Sequence, residues 1–110
     1  MIINHGVRGS TPTCNTNTSF YGGSTPCVEI VTNEAQIILD CGTGFSKVNF
    51  SHDLPSIILL SHFHHDHIQG LPFNQTLNKN LNKIFISTAL YNKDKLKKLW
   101  QPIFHHPFFP

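Results

Sequence analysis

One short segment constrains this chain more than any other. Residues 61–67 read Ser-His-Phe-His-His-Asp-His and hold four of the eight histidines in the chain. The five residues before it, 56–60, are almost entirely apolar, which predicts a strand buried in a sheet. Loops that follow buried strands collect at the carboxyl edge of an α/β sheet, where binding sites form. Several imidazole rings and a carboxylate are therefore expected together at a sheet edge, and this predicts a metal site.

The predicted metal ligands are His62, His64, Asp66 and His67. Imidazole nitrogen and carboxylate oxygen suit zinc, with iron or manganese as alternatives. The period of two along an extended chain places His62 and His64 on one side. Asp66 and His67 lie beyond the bend and are expected to face a second ion. Two ions about 3.5–4 Å apart can share a hydroxide and stabilise an oxyanion, so the pattern favours hydrolysis.

The other segments predict a mixed α/β layer fold in one domain over residues 1–110, because strands alternate with helices. Strands are predicted over 1–3, 27–32, 36–40, 56–60 and 84–87. Helices are predicted from Gly70 to about Asn82 and over 93–100, and residues 4–25 form a long loop. The second helix is capped by Asn92 and buries Leu96, Leu99 and Trp100. Segments 37–39 and 56–60 lack polar alternation, so both strands are expected to be covered on both faces.

Composition narrows the class of protein and its compartment. The formal charge is only +2, and the basic run Lys93, Lys95, Lys97, Lys98 is typical of a solvated helix face, with a phosphate-backbone footprint as the alternative. Three cysteines without CxxC spacing predict no disulfide framework and a reducing cytoplasm. No signal peptide is recognisable, and the run 57–60 is too short to span a membrane. A cytoplasmic protein without a membrane partner is expected.

Several motifs together resemble those of the metallo-β-lactamase superfamily. The segment 61–72, with its trailing Ile-x-Gly-Leu-Pro, is similar to the signature loop of the phosphodiesterase and RNase Z-like branch. Segments 6–12, 21–25 and 39–44 fit that branch as well, although Ser24 stands where the branch commonly has Asn. The resemblance covers nearly the whole chain.

This resemblance implies an αββα sandwich with a dinuclear zinc site at one edge. His62 and His64 would bind the first ion, and Asp66 and His67 would bind the second. Asp40 would lie beneath the site and orient the ligands through hydrogen bonds, so Asp66 and Asp40 are the carboxylates expected in the catalytic centre. The alternative for Asp40 is a cap on the glycine turn that follows it.

The resemblance also implies that ligands are missing. Members of the superfamily are longer, and their later half brings a further histidine for the first ion, a bridging aspartate and a last histidine for the second. The chain is therefore expected to be the N-terminal half of a domain whose C-terminal half is absent. His105 and His106 are candidate replacements, but ordinary loop positions are the favoured interpretation. His65, at the variable position of the motif, is not expected to bind metal, and neither are His5 and His52.

The predicted function is a metal-dependent hydrolase acting on phosphodiesters, either small molecules and nucleotides or nucleic acid. One alternative is an inactive fragment or half-domain that needs a partner, because a catalytic zinc usually has three protein ligands and this chain supplies two per ion. Such a half-domain would expose apolar sheet surface and self-associate through it. Another alternative is a thioesterase or a lactamase-like hydrolase with the same ligands.

Overall fold

A computed structural model describes residues 1–50, 53–79, 83–105 and 107 of the chain. The described residues form one five-stranded sheet with the strands side by side in chain order. The strands are β1 (Ile2–Gly6), β2 (Cys27–Val31), β3 (Gln36–Leu39), β4 (Ser56–Leu60) and β5 (Ile84–Thr88). Strand β2 runs antiparallel to both of its neighbours, β1 and β3, whereas β3, β4 and β5 run parallel. The predicted mixed α/β fold is confirmed.

The helical segments are short. They comprise α1 (His65–Ile68), α2 (Lys93–Trp100) and the 3₁₀ turns Thr16–Thr18, Thr43–Lys47, Leu71–Phe73 and Leu77–Lys79. The Asn92 cap is as predicted, since its side-chain oxygen accepts the Lys95 N–H at 3.0 Å. Leu96 and Trp100 are half-buried, but Leu99 is 40 % exposed, so its predicted burial is wrong. No helix among the described residues is long and apolar enough to cross a membrane.

The predicted helix from Gly70 to Asn82 is wrong over its described part, which contains only two 3₁₀ turns. Asn74 explains the interruption. Its side-chain oxygen accepts the backbone N–H groups of Thr76 and Leu77, both at 2.9 Å. Its amide nitrogen donates to the carbonyls of Phe45 at 2.7 Å and Val48 at 2.9 Å. Side-chain bonds of this kind replace the backbone bonds that a helix would make.

One face of the sheet carries the hydrophobic core. The strands contribute Cys27, Ile38, Ile58 and Leu60, and the connecting segments cover them with Phe45, Val48, Phe50, Leu71 and Leu77. Trp100 of α2 packs against the same cluster. The buried side chains of the described helical segments therefore all lie on this side of the sheet.

The opposite face is apolar and open. A row of paired residues crosses all five strands on this face: Ile2, Ile30, Ile37, Ile57 and Phe85. Phe85 is 62 % exposed, Leu59 40 % and Leu39 37 %. The expectation that β3 and β4 are covered on both faces is thus wrong for the described residues, because no described layer lies over this side.

A chain of hydrogen bonds joins four strands on the core face. The Nε2 atom of His5 lies 2.6 Å from Oε2 of Glu29, and the amide of Gln36 donates to the other Glu29 oxygen at 2.7 Å. Ser56 in turn donates to the Gln36 side-chain oxygen at 2.9 Å. Glu29, Gln36 and Ser56 are buried, and these bonds satisfy their polar groups. His5 therefore has a partner within the sheet, far from the histidine-rich segment in sequence.

We expect Asn74→Ala to lower the free energy of unfolding by about 2 kcal/mol or more, because it leaves buried carbonyl and N–H groups without their partner. Denaturant unfolding followed by circular dichroism measures the change. The exposed Asn17→Ala is the matched control and should shift stability by less than about 0.5 kcal/mol. Equal losses in the two variants would contradict the role given to Asn74.

Candidate metal centre

The parallel pairing of β3 and β4 brings two loops together at one edge of the sheet. Asp40 directly follows β3, and its N–H donates to the carbonyl of Leu59 in β4 at 3.0 Å. The next residue, Cys41, donates its N–H to the His67 carbonyl at 2.7 Å and accepts the Gly70 N–H at 2.8 Å. The turn after β3 is therefore bonded on both sides to the segment around α1.

Two glycines make this close approach feasible. A Cβ atom at Gly42 would overlap the backbone carbonyl of Asp66 and the hydroxyl of Thr25. A Cβ atom at Gly70 would overlap the Gly42 carbonyl. The glycines of the two motifs are needed because backbone packs directly on backbone here.

The structure brings the four predicted ligands together. The ring of His62 lies 4.4 Å from that of His64 and 4.1 Å from that of His67, measured between centroids. Nε2 of His67 lies 3.6 Å from Oδ2 of Asp66. His64 is exposed and the other three are half-buried.

These positions can be compared with what a metal ion requires. Two donors bound to one tetrahedral zinc ion lie about 3.3 Å apart, given its bond lengths of about 2.0–2.2 Å. The 3.6 Å between Asp66 and His67 fits one shared ion after a small adjustment. Among the described residues, however, no group of three or more His, Cys, Asp or Glu side chains is arranged around one ion. The chain thus offers pairs of donors, and a closed metal site is not formed by these residues.

Asp40 is the hub of the hydrogen bonds beneath these rings. Its Oδ2 atom lies 2.9 Å from Nδ1 of His67. Its oxygens also accept the Ser61 hydroxyl at 2.8 and 2.9 Å and the Ser61 N–H at 2.8 Å. The Ser61 oxygen lies 2.9 Å from Nδ1 of His62. Asp40 therefore has the hydrogen-bond partners that the resemblance implies for a group that orients metal ligands. Its catalytic role stays a prediction.

The same bonds select which ring nitrogen can bind a metal. A carboxylate only accepts hydrogen bonds, so Nδ1 of His67 carries the proton that points at Asp40. The hydroxyl of Ser61 donates to Asp40, and its oxygen is then the acceptor for Nδ1–H of His62. This hydrogen bonding leaves Nε2 as the nitrogen of both rings that can offer a lone pair to a metal. Ser61 was not predicted to have a role, although it belongs to the recognised motif.

Asp66 is held from a different direction. Its Oδ2 atom accepts the backbone N–H of Ser10 at 2.9 Å, across 56 positions of sequence. This hydrogen bond, together with the neighbouring His67, lowers the pKa of Asp66 below its usual value although partial burial opposes the shift. The carboxylate is therefore ionised at neutral pH, as a metal ligand must be. Sequence reasoning did not identify Ser10, and its position in the 6–12 motif was the available signal.

The other described histidines lie apart from these four residues. His65 lines a groove of about 500 Å³ with Ile68, Gln69 and Phe73, and none of the four predicted ligands lines this groove. His105 is exposed and borders a depression beside Trp100. His52 and His106 lie outside the described residues.

The buried cysteines are part of the core. Burial, together with nearby Glu29 and Asp40, raises the pKa of Cys27 to about 12. Burial also raises the pKa of Cys41 well above its usual value. Both are free, protonated thiols, which are poor metal ligands.

Comparison with known proteins identifies the fold. No protein-family model and no curated protein matches the chain. Among the solved structures that resemble it, two have a TM-score of 0.57. One is the metallo-β-lactamase fold protein YhfI from Bacillus subtilis, at 24 % identity over 89 % of this chain. The other is the short form of human tRNase Z, at 18 % identity over 98 % of this chain.

This chain has the metallo-β-lactamase fold. It spans 41 % of the length of YhfI and 42 % of that of the human enzyme, so it corresponds to part of each. The fold predicted from the resemblance is confirmed, as half of an αββα sandwich. In a metallo-β-lactamase sandwich two sheets pack face to face, with one helical layer outside each sheet. Half of such a sandwich has helices on one face of its sheet and an apolar opposite face, as the described residues do.

We expect Asp40→Asn to give His67 a mixture of its two tautomers, because an amide cannot accept all the hydrogen bonds that the carboxylate accepts. In the wild-type chain, ring ¹⁵N shifts should report a His67 protonated at Nδ1. The variant should show a tautomer mixture and bind zinc about 10- to 100-fold more weakly. Glu34→Gln, at the β2–β3 turn, removes the same charge and is the control. An unaltered His67 spectrum in the Asp40 variant would remove Asp40 from this role.

Proposed function

We propose that this chain forms the metal-binding part of a dinuclear metallohydrolase that cleaves phosphodiesters. The observation that carries the proposal is that one carboxylate orients two of the ligands. Asp40 is hydrogen-bonded to the ring of His67 directly and to the ring of His62 through Ser61. In this proposal His62 and His64 bind the first ion, and Asp66 and His67 bind the second. Zinc suits these donors, with iron or manganese as alternatives.

The chemistry follows from the ligands and their surroundings. When bound to these residues, such ions would lower the pKa of a coordinated water towards about 7 and so would supply a nucleophile at neutral pH. The part of this chain is to present imidazole nitrogens and an ionised carboxylate in fixed orientations. Asp40 keeps Nδ1 of His67 protonated, and the Ser10 N–H keeps Asp66 ionised.

The edge of the sheet next to the ligands has features suited to an anionic substrate. A cavity of about 560 Å³ opens beside Asp40 and Ser61 and extends to Thr88 at the end of β5. The ring of Tyr91 packs against Phe63, which lies between the first two proposed ligands, at 5.2 Å between centroids. Lys95 places its ammonium 4.4 Å from the centre of the Tyr91 ring. In this proposal Lys95, which is linked to the histidine-rich segment through Tyr91 and Phe63, would favour a phosphodiester over a neutral ester.

The substrate class draws on the resemblance and on one neighbour. The Gly-Leu-Pro tail of the histidine-rich motif is typical of the phosphodiesterase and RNase Z-like branch. One structural neighbour is named a tRNase. We therefore place nucleic acid and nucleotide phosphodiesters ahead of thioesters and β-lactams, which the same ligands would also serve.

The test compares two adjacent histidines. We expect the 110-residue chain to bind zinc in equilibrium dialysis and to hydrolyse bis(4-nitrophenyl) phosphate. His64→Ala should weaken zinc binding by at least about tenfold and abolish hydrolysis, because it removes one of two ligands of the first ion. His65→Ala is the matched control, since His65 lines a separate groove, and it should change both values less than twofold.

Equal zinc binding and hydrolysis in His64→Ala and wild type would refute the proposed function. A panel containing a thioester and a β-lactam separates the related hydrolases, because a preference for either over the phosphodiester would reassign the substrate class while keeping the metal site.

A second candidate function has its own observation. The apolar row across the open sheet face and the supply of two donors per ion favour a half-domain that is inactive alone and associates through this face. Phe85, at one end of the row, is 62 % exposed. Large exposed apolar patches of this kind mark interaction surfaces.

We expect the chain to self-associate at micromolar concentration, because water contact with the open face is unfavourable. Phe85→Lys should raise the concentration at which association begins by at least about tenfold, as measured by analytical ultracentrifugation. Phe73→Lys is the control, since Phe73 is 72 % exposed but lies away from the sheet face. A wild-type chain that stays monomeric and binds two zinc ions tightly would rule out the second candidate.

A further inference from the structure

Two described residues other than glycine have a positive φ, Ser10 at 65° and Asp40 at 59°. The left-handed conformation is unfavourable for a residue with a Cβ atom. Such strain persists only where the surrounding structure imposes it, and it is concentrated at functional sites. Asp40 supports His67. Ser10 is the counterpart on the other loop, because its N–H points at Asp66.

The turn around Ser10 is braced from within and from outside. The side chain of Arg8 closes it by donating Nε–H to the Thr11 carbonyl at 2.8 Å. Thr11 N–H donates to the Gly9 carbonyl at 3.0 Å, and Arg8 N–H ties the turn to the carbonyl of Ser24 at 3.0 Å. These bonds fix the direction of the Ser10 N–H before any ligand arrives.

A fixed N–H determines the rotation of the Asp66 carboxylate. The Ser10 N–H takes one lone pair of Oδ2, and the same oxygen lies 3.6 Å from Nε2 of His67. A carboxylate has about four lone-pair sites, so acceptors remain that an ion can use. Asp66 would otherwise have to be ordered when the ion binds, at a cost in side-chain entropy.

We propose that the turn 8–11 is a positioning element for the second metal ion, acting through the backbone N–H of Ser10 on Asp66. Its functional meaning rests on the proposed metal site. Because the donor is backbone, the identity of the side chain at position 10 matters only through its tolerance of a positive φ. Glycine should therefore replace Ser10 without loss, and a β-branched residue should not.

The hydrogen bond itself can be tested without metal. In the metal-free chain, we expect the Ser10 amide proton to exchange about 10- to 100-fold faster in Asp66→Ala than in wild type, as measured by NMR. Asp66→Asn, which keeps the shape of the side chain, should show a smaller increase. His64→Ala should leave the rate unchanged, since His64 takes no part in this bond. An unchanged Ser10 rate in Asp66→Ala would overturn the proposal, whether or not the chain binds metal.

The consequence for the ion is tested by zinc titration calorimetry. Ser10→Val should weaken one of the two zinc affinities by about tenfold or more and leave the other within about threefold, because His62 and His64 are untouched. Ser10→Gly should keep both affinities within threefold. Ser19→Val is the matched control on the same loop, because Ser19 has an ordinary φ of −66°.

The results of these experiments distinguish a failure of the positioning role from a failure of the proposed function. A loss in both Ser10→Gly and Ser10→Val would assign the effect to the serine side chain and overturn the backbone mechanism. Two wild-type affinities in Ser10→Val would overturn the positioning role. A wild-type chain that binds no zinc refutes the proposed function, and the exchange rate of the Ser10 amide then decides the positioning contact alone.

Discussion

The carboxylate of Asp40 is the interaction on which the arrangement of this sheet edge depends. It lies at the end of β3, and the parallel register with β4 places it next to Ser61, where the histidine-rich segment begins. One side chain therefore joins a strand end, the following loop and the ring of His67. A buried or half-buried carboxylate needs such partners to offset its desolvation. The same hydrogen bonds therefore both stabilise the Asp40 carboxylate and orient the rings.

Gly42 and Gly70 also determine how this sheet edge is arranged. The backbone of Gly42 contacts both Asp66 and Gly70 so closely that neither glycine can carry a Cβ atom. The N–H and carbonyl of Cys41 then bond directly to the segment around α1. A four-residue helix has little stability of its own. Its orientation is set by these backbone contacts, and the positions of Asp66 and His67 follow from it.

Local patterns predicted much of this molecule, and contacts between distant segments explain what they missed. Runs of apolar residues located the strands, and the spacing of His and Asp located the candidate ligands, because both signals are short-range. The helix predicted after Gly70 is absent from the described residues because Asn74 bonds to carbonyls of the segment 45–48. The contact of Ser10 with Asp66 spans 56 positions. The 6–12 motif marks the segment that holds Ser10, but it does not reveal that the Ser10 N–H bonds to Asp66.

The described residues leave two features incomplete, the covering of the sheet and the ligand set of each proposed ion. The core-facing side of the sheet is fully packed, yet Ile37, Ile57 and Phe85 form part of an apolar row with no described layer above it. The proposed ligands lie at the edge of this same sheet and supply two donors per ion. A single complementary layer on the open face would bury the row and could bring further donors to the edge. In the half-domain proposal, the layer that covers the open face is therefore also the natural source of the missing donors.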